Sequence, residues 1–491
     1  MVKVLLVYAN SFMDNLIPLG TSLLSAYLKK EGHETLLFDT TFYRTCEKTG
    51  DEARVETLQI KKTNLEDFGI IEEKGDIIND FHKQIDRFKP DLLGFSVVES
   101  TYSIALNLLN SIKESKIPKI VGGIHATMAL EDVLREDSID MICVGEGENA
   151  IVNLANRIKE HKDYSDIQNI WLKKDGQIIK NPLGPLVDLD KLPHQDWSIY
   201  DKKRFFKPMG GKIWTSGPLE LNRGCTYHCA FCCNDKLQEN YNGIGHYPRQ
   251  KAVKNFMEEL KEKKENFGLH YLYLVAENFL QMGAERFNQF IEGYNDIKLP
   301  FWIETRPETV NLERIVKLKE VGCEGISIGV EHGNDKFRRE MLNRYVTNEK
   351  IIDAFKIAKQ SGIRLCANNI IGFPEETREL VFDTIELNRE ILADNVITNI
   401  FCAYRGTRLW KHCLEKGYIS RYSNAGDYRS DAGLDMPQLS KEEIRGLQRT
   451  FPLYVKISKD IWPQIRIAEK FDEEGNEMFK KLSKIYQENY M

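Results

Sequence analysis

Short apolar runs alternate with amphipathic stretches along the first 160 residues. The predicted strands cover residues 2–8, 35–38, 92–98, 119–121 and 141–144, and the predicted helices cover residues 19–29 and 104–113. Apolar strands separated by amphipathic helices form parallel sheets that helices cover on both faces. The pattern therefore predicts an α/β domain over residues 1–160, with a charged surface excursion between Thr40 and about Gly75.

A second alternating pattern follows a polar stretch rich in Pro and Gly, residues 161–217, which predicts a linker. A first strand near Leu219 is followed by strands at 268–275, 300–305, 325–330, 364–371 and 395–401 and by helices at 251–265, 284–294, 311–321, 348–361 and 377–393. Six strand-helix units over residues 218–420 predict a partial (β/α)6 barrel. Residues 421–491 predict a C-terminal helical region, in which Ser440 and Glu443 form a capping box.

Composition and charge narrow the function classes. The 491 residues include 68 Lys and Arg against 74 Asp and Glu, a net charge of −6, so we expect no nucleic-acid partner. No apolar run approaches the roughly 18 residues of a transmembrane helix. The N-terminal apolar stretch is short and Asp14 follows it, unlike a signal peptide. We expect a cytoplasmic protein without a transmembrane segment.

Cysteine usage points to metal chemistry. Four of the ten cysteines fall within residues 225–233, and Cys225, Cys229 and Cys232 have the spacing Cys-x3-Cys-x2-Cys. A structural zinc site usually takes four ligands as two separated pairs, whereas three thiolates on a four-iron cube leave one iron open. His228 and Cys233 are alternative ligands for a zinc site. Because Cys233 follows Cys232 directly, its side chain is expected to diverge from its neighbour's.

The segment NRGCTYHCAFCCN, with an aromatic residue before the third cysteine, resembles the radical S-adenosylmethionine (SAM) superfamily. The resemblance implies that Cys225, Cys229 and Cys232 hold a 4Fe-4S cluster and that SAM chelates its open iron. An electron from the cluster then cleaves SAM to a 5′-deoxyadenosyl radical. Zinc binding or simple thiol burial is the alternative.

Two further motifs extend this resemblance on the adenosine side of SAM. Phe231 is implied to face the adenine edge. The segment from Ile370 to Glu375, IIGFPE, resembles the fifth-strand motif whose backbone meets adenine, with Gly372 allowing close approach. Glu331, in the segment GVEHG, is implied to accept hydrogen bonds from the ribose hydroxyls.

The methionyl side of SAM is assigned to residues at other strand ends. Glu277 follows the second strand, where the superfamily contacts the methionyl amine, although the segment VAEN departs from the frequent patterns. Glu304 and Arg306 end the third strand, where Arg pairs with a carboxylate. The alternative for each of these residues is a purely structural role, as a cap or as a member of a surface pair.

The N-terminal domain resembles the Rossmann-like cobalamin-binding domain that precedes the barrel in one radical SAM class. The motifs FSVV, VGGIHAT and VGEGE follow three successive strands. Ligands of parallel sheets lie beyond the carboxyl ends of the strands. The resemblance implies cobalamin contacts from Ser96, Val98, Gly122, Gly123 and Glu146.

The chain departs from the cobalamin motif Asp-x-His-x-x-Gly. The loop between Tyr8 and Leu19 contains no His, so that loop supplies no lower axial ligand to cobalt. His125 is an axial candidate by position only, and an ordinary hydrogen-bonding role is the alternative. A domain that kept the shape and lost cobalamin is a second alternative.

Taken together, the motifs predict a cobalamin-dependent radical SAM methyltransferase that acts on an unactivated carbon or phosphorus centre by means of the 5′-deoxyadenosyl radical and methylcobalamin. No residue is assigned to the transfer step itself. The alternatives are a radical SAM cyclase or other carbon-skeleton chemistry, with or without cobalamin, and a non-enzymatic cobalamin or redox sensor. Methylthiolation of transfer RNA needs a second cluster held by three N-terminal cysteines, and it is disfavoured because only Cys46 and Cys143 precede residue 225. The expected partners are a small-molecule or lipid-like substrate and a reductant protein such as flavodoxin or ferredoxin.

Overall fold

The computed structural model describes residues 1–14, 16–421, 423 and 426–491. Its first elements, in chain order, are β1 (Lys3–Tyr8), α1 (Leu19–Lys30), β2 (Glu34–Asp39), α2 (Gly50–Glu56), α3 (Ile77–Phe88), β3 (Leu92–Ser96), α4 (Tyr102–Ser111), β4 (Lys119–Gly122), α5 (Ile124–Met128), α6 (Leu130–Leu134), β5 (Met141–Cys143), α7 (Glu148–Lys159), β6 (Ile170–Lys174), β7 (Gln177–Lys180), β8 (Phe206–Met209), β9 (Lys212–Glu220) and β10 (Asn222–Arg223).

The remaining elements are α8 (Cys233–Asn240), β11 (Arg249–Gln250), α9 (Val253–Phe267), β12 (Tyr271–Val275), α10 (Ala284–Asn295), β13 (Phe301–Thr305), α11 (Leu312–Glu320), β14 (Cys323–Glu331), α12 (Asp335–Glu340), α13 (Asn348–Lys359), β15 (Arg364–Ile371), α14 (Arg378–Ile391), β16 (Asn395–Ile400), α15 (Arg408–Glu415), α16 (Lys441–Lys456), α17 (Trp462–Ala468) and α18 (Glu473–Tyr490).

The chain folds into two compact units. The first unit comprises residues 1–49, 64–224 and 236–269, and the second comprises residues 50–63, 225–235 and 270–491. Part of the predicted surface excursion, residues 50–63, thus belongs to the second unit. The predicted linker, residues 161–217, lies in the first unit, where β6 and β7 extend the sheet.

A seven-stranded sheet in the order β2-β1-β3-β4-β5-β6-β7 organises the first unit. The strands β1 to β5 are mutually parallel, and β6 and β7 add in antiparallel fashion at the β5 edge. The parallel part has the 2-1-3-4-5 order of doubly wound nucleotide-binding folds, in which ligands bind at the carboxyl ends of the strands near the β1/β3 switch point. The Rossmann-like prediction for this unit is confirmed.

Continuous apolar runs explain why these strands form the centre of the unit. Leu5 and Val7 of β1 and Leu93 and Phe95 of β3 are at most 2% exposed and join one apolar core. Burial of both faces removes the reason for strict alternation of apolar and polar residues. The strand ends that carry glycine and polar residues are therefore the places where this sheet can bind a ligand.

The second unit carries five parallel strands in sequence order, β12 to β16, with helices between them. These strands form the half-barrel part of the α/β fold, which confirms the predicted partial barrel. Each observed strand overlaps its predicted range. The strand predicted near Leu219 corresponds to β9, which belongs to the first unit and pairs there with β8.

The C-terminal helices close the second unit by packing. Ser440 and Glu443 form the predicted capping box at the start of α16. The ring of Tyr454 contacts those of Phe382 and Trp462 at centroid distances of 5.1 and 5.3 Å, and Tyr454 is buried. Aromatic residues of this region thus pack on the helix α14. Among the described helices, none combines the length and the apolar character that a membrane crossing requires.

Candidate functional site

The three predicted cluster cysteines lie on one short loop that follows β10 and leads into α8. A backbone hydrogen bond of 3.0 Å from Cys232 N to Cys229 O closes its last turn. In the described part of the chain, no three His, Cys, Asp or Glu side chains converge on a single metal position. A closed zinc site requires such convergence, whereas a four-iron cube accepts each thiolate on a different iron. The assignment of Cys225, Cys229 and Cys232 as the ligands of a 4Fe-4S cluster stays a prediction at this point.

Hydrogen bonds hold this loop in place. Ala230 N donates to Leu342 O at 3.0 Å, and Leu409 N donates to Ala230 O at 3.1 Å. His228 Nδ1 lies 2.9 Å from a carboxylate oxygen of Asp235, and the Asn343 side chain donates to His228 O at 2.6 Å. His228, an alternative zinc ligand by sequence, is thus engaged with Asp235.

The position of the Cys233 side chain differs from the expectation. The Cys233 thiol hydrogen-bonds to the sulfur of Cys232, and this bond lowers the pKa of Cys232 to about 7. The two sulfurs thus lie close together, against the expected divergence of these side chains. The choice of Cys225, Cys229 and Cys232 as candidate ligands rests on their spacing in the sequence.

Two arginines face the sulfur of Cys229. Arg306 Nη1 donates to Cys229 Sγ at 3.1 Å, and Arg344 Nη1 lies 3.8 Å from the same atom. All three residues are buried, with exposed fractions of 6% for Arg306, 3% for Arg344 and 7% for Cys229. Paired guanidinium donors complement a negative thiolate better than a neutral thiol, so this donor set fits a cluster ligand.

Arg306 has partners other than those predicted. Its Nε and Nη2 donate to the two carboxylate oxygens of Glu308 at 3.3 and 2.6 Å, and its guanidinium stacks 3.7 Å from the centre of the Tyr227 ring. The predicted pairing with a methionyl carboxylate therefore competes with Glu308 and Cys229 for the same donors. Local sequence gave no sign of the contact with Cys229, which is 77 residues away.

Glu331, the predicted ribose contact, ends β14 in a strained conformation. Its φ of 67° lies in the left-handed region, and the pairing of β14 with β15 shifts register between Gly329 and Glu331. Arg344 Nη1 lies 3.6 Å from its carboxylate. Burial raises the pKa of Glu331, although the positive charges of Arg344 and Arg306 act to lower it. Strain of this kind concentrates at functional sites.

Glu277 and Glu304 stand at neighbouring strand ends, and both are exposed. Burial is the main cause that raises the pKa of Cys225, and the nearby Glu277 charge adds to it. Tyr273 donates its hydroxyl to Glu304 at 2.6 Å. The structure thus brings Glu277 to the cysteine loop, while Glu304 is occupied by a tyrosine of the adjacent strand.

The predicted adenine motif lies at the end of β15. Phe231 of the cysteine loop contacts the Phe373 ring at a centroid distance of 5.8 Å, and Ile370 is half-buried. Gly372 has a φ of 81°, and an added Cβ would lie 3.1 Å from Ile444. The backbone conformation therefore favours glycine at this position, and an added Cβ would also crowd Ile444 of α16.

A buried carboxylate fixes the backbone of this motif. One oxygen of Glu376 accepts hydrogen bonds from the backbone N–H groups of Gly372 and Phe373, the latter at 3.0 Å. Its other oxygen lies 3.0 Å from His332 Nε2, and both side chains are fully buried. His332 Nδ1 accepts from Asn334 N at 3.0 Å, which orients the ring. Glu376 and His332 were absent from the sequence prediction.

The first unit holds a cavity of about 280 Å³ between its sheet and the helices α1 and α7. It lies at the strand ends that carry the motifs FSVV, VGGIHAT and VGEGE. Its lining includes Leu6, Leu19, Gly20, Thr21, Leu24, Gly94, Phe95, Ser96, Ile120, Gly122, Gly123, Cys143, Gly145, Glu146, Gly147, Glu148, Ile151, Glu220 and Arg223. Of the predicted cobalamin residues, Ser96, Gly122, Gly123 and Glu146 thus meet at one cavity.

The two positions of the GG motif favour glycine for different reasons. Gly123 has a φ of 99°, and an added Cβ would lie 2.6 Å from Val97 O, so the backbone itself excludes a side chain. At Gly122 the nearest atom to an added Cβ is Cys143 Cβ at 3.4 Å, a tight contact that the fold tolerates. Gly122 therefore lines the cavity without a side chain of its own.

Glu146 is held by protein partners. Its carboxylate accepts hydrogen bonds from Arg249, from Arg223 Nη1 at 3.1 Å and from Val187 N at 2.8 Å. Burial opposes ionisation, but Arg249 and Arg223 together lower its pKa below the usual value. Arg223 also bonds to Glu148 at 2.8 Å. Glu146 thus shapes the cavity wall through this network.

Val98 and His125 lie outside this cavity. The Val98 side chain is 38% exposed on the loop after β3. His125 is 3% exposed, packs against Tyr102 at a centroid distance of 4.5 Å, and has Nδ1 3.8 Å from Glu99. This buried packing favours the structural alternative for His125 over an axial ligand.

Two stretches of the chain match the models of known protein families. Residues 219–387 match the model of the radical SAM superfamily, and residues 5–155 match the model of the B12-binding domain. The first match contains the cysteine loop, the two arginines and the Gly372 motif. The second contains all five predicted cobalamin residues.

Relatives and solved structures agree in architecture. The chain is 26% identical over 405 residues to an uncharacterized methyltransferase of Pyrococcus horikoshii, covering 81% of this chain and 84% of the relative. It is 21% identical to the cytidylyl-2-hydroxyethylphosphonate methyltransferase of Streptomyces wedmorensis, covering 82% and 78%. The radical SAM methyltransferase TsrM from Kitasatospora setae has a TM-score of 0.64 at 18% identity, covering 84% and 77%, and so shares the fold.

Proposed function

Because the chain belongs to the radical SAM enzymes that carry a B12-binding domain, with a 4Fe-4S cluster, SAM and cobalamin as cofactors, we propose that it methylates an unactivated carbon or phosphorus centre. One observation carries the proposal: a single chain holds a loop of three thiols beside two buried arginines and a glycine-rich cavity at the end of a Rossmann-like sheet. The methyltransferase relatives support it.

The two units bind different cofactors. Cys225, Cys229 and Cys232 hold the cluster, and Glu277 and Glu331 bind the methionyl amine and the ribose of SAM. When bound, the cluster supplies the electron that cleaves SAM, and cobalamin carries the methyl group. Phe231 and the backbone of Gly372 hold the adenine.

In the first unit, Ser96, Gly122 and Gly123 line the space for the corrinoid and its nucleotide tail. Glu146 orders the cavity wall through Arg223 and Arg249. The substrate in this proposal is a small or lipid-like molecule, and a low-potential protein such as flavodoxin or ferredoxin supplies the electrons.

Product analysis tests the proposal. Protein reconstituted anaerobically with iron, sulfide and hydroxocobalamin, and supplied with SAM and titanium(III) citrate, is expected to form both 5′-deoxyadenosine and S-adenosylhomocysteine during slow uncoupled turnover. Chromatography measures both nucleosides, and omission of cobalamin should remove only the homocysteine product. Formation of 5′-deoxyadenosine alone, with cobalamin bound, would favour cyclase-type chemistry instead. Absence of both products would contradict an enzymatic role.

We also expect Glu376→Gln to weaken SAM binding by roughly tenfold. The substitution removes the charge that accepts the Gly372 and Phe373 N–H groups, and hydrogen bonds to a charged group contribute about 1.5–3 kcal/mol. Equilibrium dialysis of reconstituted protein measures the change in Kd. Glu375→Gln is the matched control, since that carboxylate is partly exposed and pairs with Lys416 at 3.1 Å. Equal affinity in both variants would show that the Glu376 contacts do not position the backbone for SAM.

A further inference from the structure

One of the three thiols has an electrostatic environment unlike the others. Cys229 Sγ lies 3.1 Å from Arg306 Nη1 and 3.8 Å from Arg344 Nη1. The other two sulfurs receive neutral donors: Asn234 Nδ2 lies 3.7 Å from Cys232, and Cys225 accepts from the backbone of Tyr227. Positive charge is therefore concentrated at one corner of the loop.

Both guanidinium groups are fixed by other contacts. Arg306 uses Nε and Nη2 for Glu308 and leaves Nη1 for the sulfur, while the Tyr227 ring covers its face at 3.7 Å. Arg344 donates Nη2 to Gly329 O at 2.6 Å, and its Nη1, which faces the sulfur, also lies 3.6 Å from a carboxylate oxygen of Glu331. Because each planar fork is held in advance, little further ordering is needed to donate to the thiolate. The Glu308 carboxylate, which compensates the charge of Arg306, accepts from Nε and Nη2, whereas Nη1 faces the sulfur.

Burial strengthens this arrangement. Arg306 and Arg344 are 6% and 3% exposed, so water screens their charges far less than at the surface. The reduction potential of an iron-sulfur cluster depends on nearby charge and on hydrogen bonds to its sulfurs. A donor with a full positive charge stabilises the form of the cluster that carries one more electron.

We propose that Arg306 and Arg344 are positioning residues that raise the reduction potential of the cluster through Cys229. The inference rests on the proposed function, because it requires that Cys229 be a cluster ligand. In the step concerned, the cluster takes up one electron from a low-potential one-electron donor, no proton is transferred, and the cluster charge falls by one. The two guanidinium charges make that uptake more favourable. Arg306 thus acts on the cluster and not on the methionyl carboxylate.

The test is a redox titration of the reconstituted full-length protein without SAM, followed by electron paramagnetic resonance. Arg306→Met is expected to lower the ratio of reduced to oxidised cluster at a fixed potential by roughly tenfold, equivalent to about 59 mV for one electron. Arg344→Met is expected to change the ratio in the same direction by less, because its nitrogen is farther from sulfur. Arg306→Lys keeps the charge and should fall between wild type and Arg306→Met.

Arg314→Met is the matched control. Arg314 is a half-buried arginine of the same unit that donates to the carbonyls of Leu280 and Met282 at 2.6 and 2.8 Å. Its replacement by methionine should leave the reduction potential of the cluster unchanged. If Arg306→Met prevents cluster assembly, Arg344→Met and Arg306→Lys still decide the question. Variants with a full cluster and an unaltered potential would overturn the inference alone. A wild-type protein that assembles no cluster would overturn the proposed function and this inference with it.

Discussion

Replacing Cys225, Cys229 and Cys232 together by alanine is expected to abolish the iron-sulfur centre and, with it, all cleavage of SAM. The thiolates are the bonds that hold the cluster, so the variant should lose the thiolate-to-iron charge-transfer absorbance after anaerobic reconstitution. Iron and sulfide analysis of the desalted protein gives the number of irons per chain, expected to be about four in wild type. Production of 5′-deoxyadenosine should fall to the level of a protein-free blank.

Cys233→Ala is the control for this experiment. Cys233 hydrogen-bonds to Cys232 but lies outside the Cys-x3-Cys-x2-Cys spacing, so the variant should keep its full iron content. Stoichiometric zinc without iron in anaerobically purified wild-type protein would contradict the cluster assignment. Equal iron loss in Cys233→Ala and in the triple variant would show that the spacing misidentifies the ligands.

Replacing Gly122 by valine is expected to weaken corrinoid binding by about 30-fold. A Cβ at this position would lie 3.4 Å from Cys143 Cβ, and both residues line the cavity, so the two further methyl groups of valine are expected to crowd its wall. Overpacking of this kind costs roughly 1–3 kcal/mol, and every 1.4 kcal/mol is a factor of ten in Kd. Titration of the full-length protein with hydroxocobalamin, followed by absorbance, measures the change. Gly122→Ala should give an intermediate affinity.

Val98→Ala is the control for Gly122→Val, because Val98 also lies at the carboxyl end of a strand of this sheet. The sequence motif assigns Val98 to cobalamin, but the structure places it outside the cavity with an exposed side chain, so its variant should bind normally. A larger loss in Val98→Ala than in Gly122→Val would show that corrinoid binds outside this cavity. The bound spectrum should be that of a base-off corrinoid without a protein His ligand, because the loop from Tyr8 to Leu19 contains no His and His125 is buried against Tyr102.

Helices, strands and sequence motifs were accessible from local information. The strand Arg364–Ile371 has its predicted limits, and the capping box of Ser440 and Glu443 forms as predicted. Apolar periodicity and cap residues report on neighbours within a few positions, which is the range over which secondary structure is determined. The spacing of the three cysteines is local in the same sense, because one short loop carries all three ligands.

What only the tertiary structure decided is the set of partners that each charged residue meets. Arg344, which the sequence prediction does not name, reaches Cys229 from 115 residues away. Glu146, predicted as a cobalamin contact, also pairs with Arg223 and Arg249. Arginine and glutamate side chains are long, and a buried charge takes the partner that the packing brings within reach. Periodicity places such a residue at a strand end. The fold of the whole unit determines whether it meets a cofactor, a sulfur or another charge.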